Sequence, residues 1–353
     1  MMRFAFGAAV ILQCGVVVAD ARLPASAVRA SADMIIAFDT LQAEKAMDKD
    51  LWSMIQKDKN RAKRRSHEKS MFNTEGRDIA GIVNVSFLSF DPLRYVADGS
   101  LLVSGGKGAS MQDDAKALAN SAQESGYSVV ASGGKKSPIY TFDMPEMTEE
   151  GESVMPPNGA VLSVLDEARA EFTARWRVPS NEVQSAMAEI KAREPVLSEA
   201  IANTSLTDVS FAAIVNAEKL SELPLDGNEE QKSLKELLVQ LKTLSLVVRA
   251  KGKSLLVSAY LVFKDAENAE LRRAEFERDF KQVLELSGGK SGNQAGMLES
   301  LTTRVDDKVL TLDASVGIRS AWSFLSRFDG GGARKAKANR KKKERKASRP
   351  AAE

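Results

Sequence analysis

A chain of 353 residues has room for two ordinary domains or one large one, and 43% hydrophobic with 28% charged residues is the balance of a protein that buries a core. Cys14 is the sole cysteine and His67 the sole histidine, which excludes histidine-rich metal centres, makes any Ser-His-Asp triad depend on one residue, and excludes Cys-His dyads once the N-terminal segment holding Cys14 is removed. The net charge of +2 hides an asymmetry, because residues 330–353 carry +8 and leave −6 on the rest.

Residues 1–21 read as an export signal. "MMR" supplies a short positive region, "FAFGAAVILQCGVVV" is an uncharged and mostly apolar run, and "ADA" at 19–21 gives the small-x-small pattern of a cleavage site. The run is shorter than the roughly 20 residues a membrane-spanning helix needs, so the expectation is a mature chain from Arg22 with no transmembrane helix. Gln13 stands where a lipoprotein signal needs a small residue before Cys14. Removal of the signal leaves a protein without cysteine, suited to an oxidising compartment without disulfides.

Residues 22–176 form the first expected α+β half. "ADMIIAFDT" (32–40) is a strand, and 41–72 a helix whose end, 57–69, is strongly basic. Strands follow at "GIVNVSFLSF" and "GSLLVSGGKG", then a helix over 111–125 with Asp113 and Asp114 in its first turn. "YSVVA" and "PIYTFD" are two more strands. The acidic stretch 144–159 reads as a loop, "AVLSVLD" as a strand and "EARAEFTARW" as a helix.

Residues 177–205 read as a helical connector, with Asn181 as cap answered by Gln184 and a break at Pro195. The second half, 206–329, repeats the order of the first. "TDVSFAAIVNAEKL" parallels "ADMIIAFDTLQAEKA" down to a shared Ala-Glu-Lys triplet. A helix near 234–241, a hairpin turning at Lys251-Gly252, a long amphipathic helix over 266–286, a hairpin turning at Asp306-Asp307 and a closing helix at "IRSAWSFLSRF" complete it. The predicted fold is therefore α+β, with two related halves. Each is an antiparallel sheet carrying helices in a split βαββαβ-like order.

Three stretches, "SGGKG" at 104, "SGGKK" at 132 and "SGGKS" at 287, invite a phosphate-loop reading. A Walker A loop needs a further glycine five residues before its Gly-Lys-Ser; Gly289-Lys290-Ser291 and Gly252-Lys253-Ser254 supply the last three letters, but the chain has Leu284 and Val247 at the earlier position, so neither qualifies. The contexts of the three stretches differ: strand to helix, strand to strand, and after a helix. They read as turns. His67 sits among cations with no carboxylate to orient it as a base. Adjacent acids at Asp113-Asp114, Glu149-Glu150, Glu229-Glu230 and Asp306-Asp307 fall at helix starts, loops and turns, where solvated acids collect. Trp52, Trp176 and Trp322 read as packing residues on helices. No catalytic, cofactor or metal residues are assigned.

The sharpest feature is the tail, residues 330–353. Three glycines lead into Arg334, Lys335, Lys337, Arg340, Lys341, Lys342, Lys343, Arg345, Lys346 and Arg349, a composition that forms no core and reads as disordered. Neither basic segment contains an aromatic residue, so the stacking platform of single-strand binding is missing. The expected role is an exported, periplasmic or extracellular, non-enzymatic binding or structural protein of the cell envelope or exterior. The tail tethers it to anionic lipid headgroups or acidic polysaccharide. A protein partner at a sheet edge or between the halves is a further expectation. The alternatives are a hydrolase using carboxylates only, or a nucleic-acid-associated protein if the N-terminal segment is retained.

Overall fold

Period-two alternation dictates most of this molecule. In β1 (Met34–Asp39) Ile35 and Ala37 are fully buried on one side, with Met34, Ile36 and Phe38 half-buried on the other. Such a strand needs cover on both faces, and it receives it at the middle of a large sheet. The computed structural model describes residues 28–53, 79–86, 98–105, 110–144, 147–149, 152–155, 158–175, 178–204, 206, 208–222, 227, 229–287 and 298–318.

After β1 come α1 (Thr40–Ala46), β2 (Ile79–Ser86), β3 (Asp98–Gly105), α2 (Met111–Glu124) and a hairpin of β4 (Ser128–Gly134) and β5 (Ser137–Met144). A small hairpin, β6 (Met147–Glu149) with β7 (Glu152–Met155), precedes β8 (Asn158–Val164) and β9 (Arg169–Arg175). The connector holds α3 (Ser180–Ala192) and α4 (Ser198–Thr204). Then follow β10 (Phe211–Asn216), α5 (Ala217–Ser221), α6 (Glu229–Gln240), β11 (Leu241–Lys251), β12 (Ser254–Phe263), α7 (Ala266–Ser287), β13 (Leu298–Asp306) and β14 (Val309–Gly317).

The fold is α+β, and its two halves are joined edge to edge. Twelve strands make one sheet in the order β13-β14-β12-β11-β10-β1-β2-β3-β9-β8-β5-β4, with every neighbouring pair antiparallel. The seam is β1 on β10, where Ile35 faces Ile214 and Phe38 faces Phe211. Outward from the seam the halves run β1-β2-β3-β9-β8 and β10-β11-β12-β14-β13, the same succession; the first half then adds β5 and β4.

Seam bonds repeat across that axis. Asp39 N donates to Ser210 O at 3.1 Å and Asn216 N to Asp33 O at 2.7 Å. Each strand ends in a side chain that caps the next helix: Asp39 accepts from Gln42 N and Asn216 from Glu218 N. Asp39 thus occupies the place of Asn216. The shared Ala-Glu-Lys triplet falls at 43–45 inside α1 but opens α5 at 217–219, three residues out of step with the capping positions. The common element order, rather than that triplet, relates the halves.

Three local expectations are corrected. "EARAEFTARW" contributes strand β9, because Ala170 and Phe172 alternate with Glu171 and Thr173 to opposite faces, although alanine and glutamate favour helices. The helix after β1 stops at Ala46, since the chain turns there to meet the β11–β12 hairpin. Gly252 N donates to Ala46 O at 2.7 Å and Asp48 N to Gly252 O at 2.8 Å. Helix resumes over residues 49–53 beneath a new cap, Asp48 Oδ1, which accepts from Asp50 and Leu51 N. The acidic stretch 144–159 contains the β6–β7 hairpin.

The sheet has two unlike faces. On the first, α2 packs Met111, Ala115, Leu118 and Ala119 onto Phe142, Leu162, Val164 and Ala170. At the other end of that face, α5, α6 and α7 cover Leu241, Leu261, Phe263 and Leu310 with Ala217, Leu238 and Ala269. The opposite face carries the connector over the seam, with Leu197 and Ala200 on Ile35, Ile82, Ala212, Ile214 and Val247.

Candidate functional site

On the connector face, buried charges and polar groups gather around α3 and α4. The strand pleat puts them there. Asn84, Glu171 and Asp143 occupy the side of their strands opposite to Val83, Phe172 and Phe142.

The N-terminus of α3 docks on β5 and β8. Asp143 Oδ1 accepts from Ser180 N and Oδ2 from Ser180 Oγ, both at 2.6 Å. This carboxylate does the work of a helix cap from a distant strand, in place of the expected Asn181, which lies inside the helix. Gly159 lies beneath; a Cβ there would stand 2.3 Å from Ser180 N, so only glycine admits this approach.

The middle of α3 sits over an ion pair. The Arg29 guanidinium bonds Glu171 and reaches Met187 Sδ at 3.6 Å, while Arg29 N donates to Asn84 Oδ1 at 3.1 Å. Burial draws the Arg29 guanidinium below its ordinary value and the Glu171 carboxylate opposes that shift. After α3 ends, Arg193 Nη1 donates to Asp33 Oδ2 at 3.3 Å. Asp33 Oδ1 accepts from Asn216 Nδ2 at 3.3 Å, and the Asp33 side chain is 5% exposed. Leu197 N donates to Ala30 O at 2.9 Å, and Arg249 on β11 donates to Thr204 O, the last residue of α4, at 3.1 Å.

The connector is therefore fastened from β5 in one half to β11 in the other, across the seam. Asp33 and Glu171 come from separate elements, but each is occupied by an arginine, Arg193 and Arg29. The assembly is a clasp. Among the described residues no group of three or more His, Cys, Asp or Glu is placed to hold a metal ion.

Beyond the connector, the same face of the second half is polar. Ser258 Oγ donates to Asp313 Oδ1 at 2.6 Å, Thr311 is buried beside them, and Thr302 and Arg304 are exposed on β13. Thr243 and Ser245 on β11 are buried with hydroxyls that make no hydrogen bond. Neither the clasp nor these hydroxyls was singled out from sequence. The only local signal is "KTLSLVVR", in which Thr243 and Ser245 alternate with Leu244 and Leu246.

The sequence-derived candidates fall elsewhere. Arg334, Lys335, Lys337, Arg340, Lys341, Lys342, Lys343, Arg345, Lys346 and Arg349 lie outside the described residues, as do residues 1–27, His67, the 57–69 run, Trp176 and Trp322. Trp52 is half-buried in the helical stretch 49–53. The glycine-lysine stretches occupy different settings: β3 ends at Gly105, β4 turns into β5 at Lys135-Lys136 with Gly133 at φ 85°, and α7 ends at Ser287. Asp113 and Asp114 open α2 beneath the Ser110 cap, Glu149 ends β6, Glu229-Glu230 open α6, and Asp306-Asp307 flank the last hairpin turn with Asp307 at φ 49°. These acids belong to separate parts of the fold. No helix among the described residues is long and apolar enough to cross a membrane.

No family model matches the chain, and no curated protein matches it. Among solved structures it is similar to crystal forms of TP0453, at 13% identity in each case. Form I has a TM-score of 0.39 and covers 84% of this chain and 93% of that one. Form III has a TM-score of 0.38 over 85% and 99%, and form IV 0.37 over 84% and 93%.

Proposed function

We propose that this is an exported, non-enzymatic binding or structural protein of the cell envelope or exterior, held to a polyanionic surface by its basic tail. The observation that carries the reading is how the cations are spent. In the folded body Arg29, Arg169, Arg193, Arg272 and Arg273 each face an internal carboxylate: Glu171, Asp166, Asp33, Glu275, and the pair Glu270 and Glu277. The tail instead sets ten Lys and Arg against Glu344 and Glu353, on a body of net charge −6. The body repels polyanions overall; the tail attracts them. The uncharged N-terminal run and "ADA" support export, and an exported protein meets lipid headgroups or acidic polysaccharide before nucleic acid.

The test is a salt titration of binding to anionic vesicles, an acidic polysaccharide and DNA, comparing the chain from Arg22 with the same chain ended at Asp329. The reading requires that only the tailed chain binds, with an affinity falling steeply as salt rises, and that vesicles or polysaccharide outcompete DNA. Equal binding by both chains places the contact in the body and refutes the tether. Preference for DNA favours an intracellular role.

A further inference from the structure

Among the described residues the sheet ends in two edge strands, and they are built differently. Edge strands expose unpaired amides and carbonyls, which proteins usually defend with charges, prolines or bulges. At one edge β13 has a bulge between Leu298 and Ser300 and exposes Arg304 and Asp306. At the other, β4 reads Ser-Val-Val-Ala-Ser-Gly-Gly, with no charge and no proline, in regular register with β5. All its residues but Val129 are exposed, and Val130 is 59% exposed. Thr141 Oγ1 donates to Val130 O at 3.3 Å, so that carbonyl turns toward β5 and the pleat turns those of Val129 and Ala131 outward.

The strand is also complementary to itself. Antiparallel pairing about a twofold axis at Val130 sets Ser128 opposite Ser132, Val129 opposite Ala131, and one Val130 on the other. The same register brings the Lys135-Lys136 turn of one copy alongside the C-terminal end of α2 in the other. There Glu124 is exposed, the last turn has no basic residue, and the helix dipole is negative. The chain already uses this kind of contact, since β1 on β10 joins its own halves edge to edge.

We propose that β4 is a docking edge for a second copy of this chain, paired antiparallel about Val130 to give a twofold dimer with one continuous sheet. A single strand-to-strand contact buries less than the roughly 1,200 Å² of a stable interface. The dimer is accordingly weak and concentration-dependent.

The experiment uses the full chain carrying Cys14→Ser, so that an introduced cysteine is the only one. With Val130→Cys the twofold axis sets two thiols across a non-hydrogen-bonded pair, about 4.5 Å between Cα atoms, within reach of a disulfide. Mild oxidation should then give a disulfide-linked dimer at least tenfold faster than with Lys253→Cys, on the exposed β11–β12 turn. Sedimentation velocity supplies the second arm: Val130→Lys should weaken self-association at least tenfold with an unchanged circular dichroism spectrum. Equal cross-linking rates, a monomer at every concentration, or a dimer indifferent to Val130→Lys would each overturn the proposal. The last would place self-association on another surface.

Discussion

The helix face and the connector face are held by different means. The helix face is apolar at both ends of the sheet, with α2 over one half and α5, α6 and α7 over the other. Its stability comes from burial, which is non-directional and spread over many residues. The connector face is apolar where α4 meets the seam and where α3 buries Val183, Ala186 and Ile190. To this it adds a few directional contacts: Asp143 with Ser180, Arg29 with Glu171, Arg193 with Asp33 and Arg249 with Thr204. Damage to the first should unfold the protein, and damage to the second should loosen the connector.

The largest effect expected is from Phe263→Ala, a fully buried ring among Leu241, Leu261 and Leu310, at a cost of about 3–5 kcal/mol. Urea unfolding should show a lower midpoint for the whole chain. A smaller effect is expected from Gly159→Val, whose side chain would collide with the backbone at Pro179 and Ser180, at about 1–3 kcal/mol. A mild loss in the unfolding midpoint with a larger loss of connector order would sharpen the contrast between the faces. The smallest is Ser245→Ala, which removes a buried hydroxyl that has no partner and should be neutral or slightly stabilising. A loss above about 1 kcal/mol there, on the scale of a hydrogen bond, would mean that the hydroxyl is engaged.

Much of the fold was legible because local chemistry agreed with it. The β11–β12 hairpin turns at Gly252, φ 61°, and the β13–β14 hairpin at Asp307, as their turn residues foretold. The amphipathic run over 266–286 became α7. Legibility failed where tertiary contacts decide. β9 is rich in helix formers, yet it becomes a strand by packing Ala170 and Phe172 under α2 and pairing Glu171 with Arg29. α1 ends at Ala46 because of a hairpin turn more than 200 residues away. The clasp joins residues such as Arg29 and Glu171, 142 apart, and Arg193 and Asp33, 160 apart; no local pattern encodes such pairs. The tail was the plainest feature of the sequence, since composition alone defines it.

Amide hydrogen exchange on the Gly159→Val and Phe263→Ala chains tests the two-face account most directly. The account predicts that Gly159→Val speeds exchange across residues 180–204 while β11, β12 and α6 keep their protection, and that Phe263→Ala speeds exchange throughout. If Gly159→Val instead lowers protection uniformly in both halves, the connector is part of one cooperative core and the distinction between the faces fails.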